Sequence, residues 1–382
     1  MVLPPLRVDK SIDPRELTLA QSLVRDLTLT LCRTRHFTVI APFTARQLVG
    51  IPADLHRVPI PDYQVRTDLV RGQTATARPL LSIEILTAEG KSIYRNEIEL
   101  FSGGLLDLHF GLCSILADQI AGQIAQEEML QFRRTGAASA YVHYLFAMEY
   151  EERIELRTLL RAQKALKRSI QLAPDYVPAL SQLARTMTLE WLERADQDRT
   201  LLKDAKHLAE RANHYDPADS GSLREIGHAA LYLHDLELAL ASYEAAGVSA
   251  PNHADLLADQ ADVLTHASRS DEAEPRIARA LALNPLAPDD YYWIGGAVSF
   301  FRGRYEEALT RLQAMKSPGL ALRLMAASAA MINDRLAADA YRLRALERDP
   351  TFRLEKWVSL YPQPSKTDTD HYLAALKLAG FE

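Results

Sequence analysis

The chain of 382 residues is 48% hydrophobic and 25% charged, a composition typical of a folded protein with room for two units. Its net charge of -6 and isoelectric point near 6.0 argue against a surface devoted to nucleic acid, because binding phosphates requires clustered Lys and Arg. The N-terminus has no apolar core of a signal peptide, and the most apolar run, 319–332, is too short to span a bilayer. We therefore predict a cytoplasmic protein that interacts with neither membrane nor nucleic acid.

The two cysteines, Cys32 and Cys113, both lie within apolar helical patterns. We interpret them as buried free thiols, and this cysteine usage suits a reducing compartment. A disulfide or a reactive site is the alternative.

Residues 1–133 predict a small α/β domain with helices packed on a mixed sheet. Apolar residues that recur every three or four positions predict helices, alternating runs predict strands, and Gly90 suits a turn between two of the strands. The predicted elements are, in order, a short strand at 2–8, a helix at 16–33, a strand at 37–42, a short helix at 45–49, strands at 63–70, 80–86 and 92–100, and a helix at 105–129. The helical pattern breaks at 133–138, where we place the domain boundary.

From residue 138 onward the pattern is helical, and one motif recurs with a fixed period. Two copies within 219–285 place small or apolar residues at positions 4, 8, 11, 20, 24 and 27 and a proline at position 32, while position 7 is Ile226 in the first copy and Gln260 in the second. The prolines that close the repeats are Pro174, Pro217, Pro251, Pro285, Pro318 and Pro350, and the two central intervals are each 34 residues. We therefore predict six repeats in 138–350. One interval carries nine extra residues, which we place at 191–199 as a lengthened turn.

This period and this pattern resemble the tetratricopeptide repeat, a helix-turn-helix unit of 34 residues. Small residues at positions 8, 20 and 27 let neighbouring helices approach closely, and the proline stops the second helix. One unit cannot bury its own apolar face, so repeats stack into a superhelix. More polar helices at 354–360 and 369–379 predict a cap, which makes 351–382 a third region. The predicted fold class is thus α+β, with a small α/β domain followed by an all-α array.

The N-terminal third resembles the TolB-like amino-terminal domain. The features that carry this resemblance are the opening VLPPL, the helix that leads into FTVIAP, the strand that ends in IYRNEIEL, and the helix that enters the repeats. The tail from LERDPTFRLEKW to the final LAGFE also resembles the end of such proteins. In bacteria this domain is often followed directly by a tetratricopeptide array. An effector domain usually stands in front of both, either the winged helix of CadC-like regulators or a class III adenylate cyclase domain. Neither effector occurs in this sequence, so Met1 is either a native start or the point where a longer protein has been cut.

A tetratricopeptide superhelix exposes positions 2, 5, 9, 12 and 13 of each first helix on its concave face, where peptides usually bind. Aromatic and Arg side chains at such positions are the types that dominate binding energy. The predicted partner-binding residues are Tyr144, Met148, Arg185, Arg224, His228, Tyr232, Asp262, His266, Trp293, Phe300, Phe301 and Arg323. For Trp293, Phe300 and Phe301 the alternative is that they fill the groove or pack on the N-terminal domain.

No pattern in the sequence supports catalysis or a cofactor. His228 and His266 lack further ligands at metal-binding spacing, and Gly103-Gly104 is better explained as a plain turn than as an anion site. We find no nucleophile elbow, P-loop or dinucleotide fingerprint. We therefore expect no enzyme activity, no cofactor and no metal.

The sequence predicts a non-enzymatic regulatory module that binds a protein or peptide in its groove, as the sensory part of a bacterial transcriptional regulator. One alternative is the regulatory half of a class III adenylate cyclase, or a sensor for a small ligand held between the two domains. Another is a stand-alone adaptor or secretion-associated chaperone. A homodimer is compatible with each of these.

Overall fold

The computed structural model describes residues 1–4, 6–9, 12–34, 39–40, 61–71, 78–100, 105–150, 155–194, 198–355 and 365–382. The chain divides into two compact units, Met1–Leu145 and Phe146–Glu382. The proposed regions 1–133, 138–350 and 351–382 stay a prediction.

The N-terminal unit contains a four-stranded sheet and two long helices. Its elements are β1 (Arg7–Val8), α1 (Pro14–Thr34), β2 (Tyr63–Arg71), β3 (Pro79–Thr87), β4 (Ser92–Glu99) and α2 (Leu105–Thr135). The strand order is β1-β2-β3-β4, with β1 parallel to β2 and the other pairs antiparallel. The last three strands confirm the predicted ones. Of the strand predicted at 37–42, only residues 39–40 are described, where Ile40 forms an isolated bridge with Val2. The helix predicted at 45–49 lies outside the described residues, as does Gly103-Gly104.

Alternation along the strands places the core of this unit on one face of the sheet. Val65 and Leu69 of β2 and Ile83 of β3 are fully buried, as are Leu27 of α1 and Ile120 of α2. These residues form one apolar cluster, whereas β4 alternates between half-buried and exposed positions. The sheet thus buries one face and leaves β4 more open.

The two thiols differ in exposure, contrary to the prediction. Cys113 is buried, with its Sγ 3.8 Å from the carbonyl oxygen of Leu23, and burial raises its pKa to about 11. Cys32 is exposed, and both cysteines are free. Leu31 occupies the buried face of α1, and the next residue in a helix points about 100° away from it.

The C-terminal unit is built from antiparallel helix pairs. Its helices, together with α3, which crosses the division between the units, are α3 (Ala140–Glu149), α4 (Leu156–Leu172), α5 (Val177–Arg194), α6 (Thr200–Tyr215), α7 (Ser220–Tyr232), α8 (Leu236–Ser249), α9 (Ala254–His266), α10 (Ser270–Leu283), α11 (Asp289–Phe301), α12 (Tyr305–Gln313), α13 (Leu322–Met331), α14 (Arg335–Arg348) and α15 (Lys366–Leu378). From α4 to α14 each helix packs against the next, and α5 also packs against α7, as α9 does against α11. α7 and α9 begin 34 residues apart, at 220 and 254, as the repeat predicts.

The turns inside the pairs explain how the chain reverses at each repeat. One residue per turn takes a left-handed conformation, with φ of 65° at His234, 62° at Ser268, 73° at Gly303 and 61° at Asn333. In two of these turns the next residue is an aspartate whose side chain caps the second helix by accepting from a backbone N–H: Asp235 from that of Leu238, and Asp334 from that of Ala337.

The extra residues of the second repeat only partly form a turn. α5 continues to Arg194 and has 18 residues, whereas α7 has 13, so 191–194 is helical instead of part of a lengthened turn. Trp191 explains this extension, because its buried ring continues the packed face of α5 and its Nε1 donates to the carbonyl oxygen of Asp198 at 3.0 Å.

The C-terminal helix α15 packs against α13 and covers the last repeat. It begins three residues before the predicted start at 369, because Ser365 caps it by accepting from the backbone N–H of Asp368. Of the helix predicted at 354–360, only Leu354 and Glu355 are described, and both are helical.

Candidate binding site

The first helices of successive repeats, α5, α7, α9, α11 and α13, carry most of the predicted partner-binding residues, and we call this surface the helix-A face. At its centre, the Nε of Arg224 on α7 donates to the carboxylate of Asp259 on α9. Glu225 lies beside Arg224, and its Oε1 is 3.5 Å from an Nη of Arg185 on α5. Charged side chains therefore connect three consecutive repeats.

These charged side chains are largely shielded from water, so burial and the neighbouring charges together shift their pKa values. Burial alone would raise the pKa of Glu225, but the His228 contact and the positive charges of Arg185 and Arg224 outweigh it, and the pKa lies below its ordinary value. Burial likewise opposes the charge of Asp259, yet Arg224 and Arg185 lower its pKa. The pKa of Arg224 lies well above its usual range because Asp259 and Glu225 overcome its burial.

Aromatic rings and histidines line the same face next to the charges. The ring centroid of Tyr232 lies 5.7 Å from that of Trp191, 5.6 Å from that of His228 and 6.5 Å from that of His266. Nδ1 of His228 is 3.5 Å from Oε2 of Glu225. Tyr232 therefore sits among side chains from α5, α7 and α9.

Two further carboxyls on this face, those of Asp262 and Asp290, have pKa values above the ordinary value of an aspartate. Burial raises the pKa of Asp262 on α9, which lies 3.7 Å from Nε2 of His266, and the negative charge of Asp259 raises it further. Burial also raises the pKa of Asp290 on α11, again with a contribution from Asp259. The centre of the helix-A face is thus rich in carboxyls that two arginines only partly balance.

Six of the twelve predicted residues meet in this network, namely Arg185, Arg224, His228, Tyr232, Asp262 and His266. Glu225 and Asp259, which carry the ion pairs, were missed because both stand at position 6 of their repeats, outside the positions considered. The sequence did contain a signal for them. Two consecutive repeats carry an acidic residue at position 6, and in the first of these repeats it directly follows Arg224.

The aromatic residues of the fifth repeat pack inside the array, which agrees with the alternative that they fill the groove and not with contact to a partner. Phe300 is fully buried, so it cannot contact a partner in this structure. Its ring lies 5.4 Å from that of Tyr372 and 5.2 Å from that of His371, both on α15. Trp293 and Phe301 are half-buried and pack against the same apolar cluster. The element that packs on Phe300 is thus the C-terminal helix α15.

The first two predicted residues fall on opposite sides of the division of the chain. Tyr144, in the N-terminal unit, is buried, and its ring centroid lies 6.4 Å from that of Tyr141. Met148 is half-buried in the C-terminal unit. The network in α5, α7 and α9 therefore does not include either of them.

Arg323, the last predicted residue, lies on α13 in a setting unlike that of Arg224. Its guanidinium carbon is 4.8 Å from the centroid of the Phe352 ring. Among the described residues, no carboxylate oxygen lies within 4.0 Å of its nitrogens. Burial lowers the pKa of Arg323, and the charge of Arg348 adds to this, while Tyr372 and Asp349 act against it. Arg323 is therefore a half-buried cation that has no ion pair within the described part of the chain.

Within the part of the chain that the structure describes, no cluster of three or more His, Cys, Asp or Glu side chains could hold a metal ion. No described helix is both long and apolar enough to cross a membrane.

No known protein family and no curated protein matches the chain. Among solved structures it is similar to TTC0263, a thermophilic TPR protein of Thermus thermophilus, with 20% identity over 51% of this chain and 100% of that one and a TM-score of 0.41. It is also similar to PilF of Pseudomonas aeruginosa, with 16% identity over 57% of this chain and 94% of that one and a TM-score of 0.39. A third is YrrB, described as a TPR protein with an unusual peptide-binding site, with 14% identity over 61% of this chain and 97% of that one and a TM-score of 0.30. At TM-scores below 0.5 these similarities do not bear on function.

The class of fold follows from the geometry of the C-terminal unit. Its helix pairs, their period and the small residues at their contacts are those of a tetratricopeptide-type array. The N-terminal unit is a separate small fold of helices and a four-stranded sheet.

Proposed function

We propose that this chain is a non-enzymatic protein-interaction module whose helix-A face binds a protein or peptide segment. The observation that supports this is the gathering of Arg185, Tyr232 and His266, from three consecutive repeats, into one network, in which Arg185 and Tyr232 are half-buried and His266 is buried. Interfaces are enriched in Tyr, Trp and Arg at their centres, and arrays of this type offer extended surfaces to peptides. Tyr232 and Asp262 are the residues we assign to contact with the partner.

The test is selection of a random 15-residue peptide library on the immobilised full chain, followed by affinity measurement on each enriched peptide. Tyr232→Leu keeps apolar volume but removes the ring, and it should weaken binding at least tenfold if the ring is a central contact. Tyr215→Leu is the matched control, because Tyr215 lies on the second helix of its repeat and is 48% exposed. If the enriched peptides bind the Tyr232→Leu and Tyr215→Leu variants equally well, the helix-A face is not the surface that binds them.

We further propose that partner binding is passed to an effector, and that the N-terminal unit belongs to this signalling role. The support is the resemblance of both ends of the sequence to TolB-like regulatory proteins of bacteria. Sequencing the gene upstream of Met1 tests it. A reading frame for a winged helix would favour a transcriptional regulator, and one for a cyclase domain would favour a nucleotide cyclase. A stop codon directly upstream would instead support a free-standing adaptor in the cytoplasm.

A further inference from the structure

The strand β4 forms one edge of the sheet in the N-terminal unit, and its outer side has no strand beside it among the residues that the structure describes. On its inner side it pairs antiparallel with β3, from Glu99 opposite Leu80 to Tyr94 opposite Ile85. An edge strand presents a row of backbone N–H and C=O groups to which another extended chain can add. With eight residues, β4 is long enough for such pairing.

The hydrogen bonds between β3 and β4 show which backbone groups point to the outer side. The N–H of Leu100 donates to the carbonyl oxygen of Pro79 at 3.0 Å, so these two residues form a hydrogen-bonded pair of the antiparallel ladder. Hydrogen-bonded pairs alternate with pairs that share no backbone hydrogen bond, so every second residue of β4, counted from Leu100, bonds to β3. The residues between them, Arg95 and Glu97 included, direct their backbone groups to the outer side.

The side chains of β4 divide between the two faces of the sheet. Tyr94, Asn96 and Ile98 are half-buried and lie on the face of the apolar core, because each stands opposite a buried residue of β3. Arg95 and Glu97 lie on the other face and are exposed, and an Nη of Arg95 is 3.0 Å from Oε1 of Glu97. Opposite charges thus stand on either side of Asn96.

This order of charges is complementary to itself when the strand is inverted. If two β4 strands pair antiparallel about a two-fold axis at Asn96, Arg95 of each copy lies directly opposite Glu97 of the other. Both residues direct their backbone groups to the outer side, so this register also forms the backbone hydrogen bonds. An axis one residue earlier or later would place two Arg95 or two Glu97 side chains opposite each other. Charges on an edge strand usually oppose pairing, but here they favour one register.

The core face of the same edge carries apolar surface that a second copy would cover. In the register centred on Asn96, Tyr94 of one copy lies opposite Ile98 of the other. The helix α2 packs against β4, and the Tyr94 hydroxyl donates to Oε1 of Gln119 at 3.1 Å. Ile115 lies one helical turn from Gln119 and is 55% exposed. A two-fold axis perpendicular to the sheet brings the α2 helices of the two copies side by side, where Ile115 would lose contact with water.

We propose that the chain forms a two-fold symmetric homodimer in which β4 pairs antiparallel with β4 of a second copy, so that the two sheets become one continuous sheet. The pairing satisfies the outer backbone groups of both strands and places each Arg95 against a Glu97 of the other copy. A sheet edge can also accept an extended segment of a different protein, but such a segment does not require charges arranged symmetrically about Asn96. The inference goes beyond the proposed function, because it concerns the N-terminal unit and not the helix-A face.

The test is the monomer–dimer Kd of the full chain, measured by sedimentation equilibrium. Arg95→Glu and Glu97→Arg should each weaken the dimer at least tenfold, because each substitution places like charges opposite each other at two points of the interface. Glu237→Arg makes the same change of charge as Glu97→Arg at an exposed site on α8, and it should leave the Kd unchanged. A natural chain that stays monomeric, or a dimer that neither β4 variant weakens, would overturn the proposal.

Mixing the two β4 variants tests the register itself. One variant then carries two carboxylates at positions 95 and 97 and the other carries two guanidinium groups, so every pair across the axis again joins opposite charges. The mixture should therefore form a dimer that neither variant forms alone, and its Kd should return to within about tenfold of that of the natural chain. A mixture that stays monomeric would overturn the proposal, because the charges at these two positions would then not face each other.

Hydrogen exchange locates the interface on the strand. The backbone N–H groups of Arg95 and Glu97 should exchange more slowly as the concentration of the natural chain rises, because the second copy accepts hydrogen bonds from them. In Glu97→Arg alone the exchange in β4 should not depend on concentration, and adding Arg95→Glu should restore the dependence. Protection that appears elsewhere in the chain but not in β4 would assign the dimer to another surface and overturn the proposal.

Discussion

The third and sixth repeats share one helical pattern but differ on the face they present. In the third, Arg224 is half-buried beside two carboxylates and donates to one of them, Asp259. In the sixth, Arg323 occupies the same position over an aromatic ring with no ion pair among the described residues. The repeat pattern therefore determines where a side chain lies, and the residues packed around it determine whether its charge is paired.

The same two repeats also differ in how their helices pack. Position 8 is Gly227 in the third repeat, where a Cβ would lie 2.9 Å from the ring of Tyr243 at position 24. In the sixth repeat, position 8 is the buried Ala326 and position 24 is Arg342. Arg342 lies beside Gly380 at the end of α15 and pairs with Asp339 at 3.2 Å. The size of position 8 thus follows the partner at position 24.

The largest expected effect is that of Arg224→Gln. It leaves the half-buried Asp259 without its ion pair. Because removing one partner of a fully buried pair typically costs about 3–5 kcal/mol, we expect a loss near the lower end, about 3 kcal/mol. All three tryptophans lie in the C-terminal unit, so their fluorescence during urea unfolding reports on the array alone. Arg344→Gln, at an exposed site on α14, is the control and should change the free energy of unfolding by less than about 0.5 kcal/mol. Equal results for the two variants would refute a structural role for the Arg224 pair.

Gly227→Ala should be the next largest, with a cost of about 1–3 kcal/mol from overpacking against Tyr243. The same urea experiment measures it. Adding Tyr243→Leu should recover part of the loss, because the smaller side chain makes room for the new methyl group. If the double variant is as unstable as the sum of the two single ones, the contact between positions 8 and 24 does not explain the glycine.

Much of this comparison could be predicted from the sequence, and part of it could not. The period predicted the helix pairs, because small residues and prolines at fixed positions follow local rules of packing and helix ends. The period did not predict which element covers Phe300. Its position normally faces a groove, and here the rings of His371 and Tyr372 on α15 pack against it. Likewise Glu225 and Asp259 each pair with an arginine of the preceding repeat, Arg185 and Arg224, and a rule for single helices does not describe such pairs.

The carboxyls of the network predict a pH dependence. The folded pKa of Asp262 is raised, so its ionisation destabilises the array at neutral pH, and the cost falls as pH drops through that pKa. His266, His228 and Asp259 are the charged or titratable groups around it. Asp262→Asn should therefore stabilise the array at pH 7 by less than about 1 kcal/mol. Its advantage over the natural chain should shrink as pH falls towards about 4, near the ordinary pKa of an aspartate.

Urea unfolding of the natural and Asp262→Asn chains at several pH values measures this difference. The array also loses the stabilising contributions of Glu225 and Asp259 on acidification, because their folded pKa values are lowered, and it does so in both chains. An advantage for Asp262→Asn that grows on acidification would show that Asp262 is stabilised as an anion, contrary to the burial that raises its pKa.

The smallest effect should be that of Arg323→Gln, which completes the contrast with Arg224. The substitution removes a cation–π contact worth about 0.5–1 kcal/mol, but it also removes a half-buried charge without an ion pair. These terms oppose each other, so the free energy of unfolding should stay within about 0.5 kcal/mol of that of the natural chain. The same tryptophan-monitored urea experiment measures it beside Arg224→Gln. A loss as large as that of Arg224→Gln would mean that Arg323 has a partner in the folded chain that satisfies its charge.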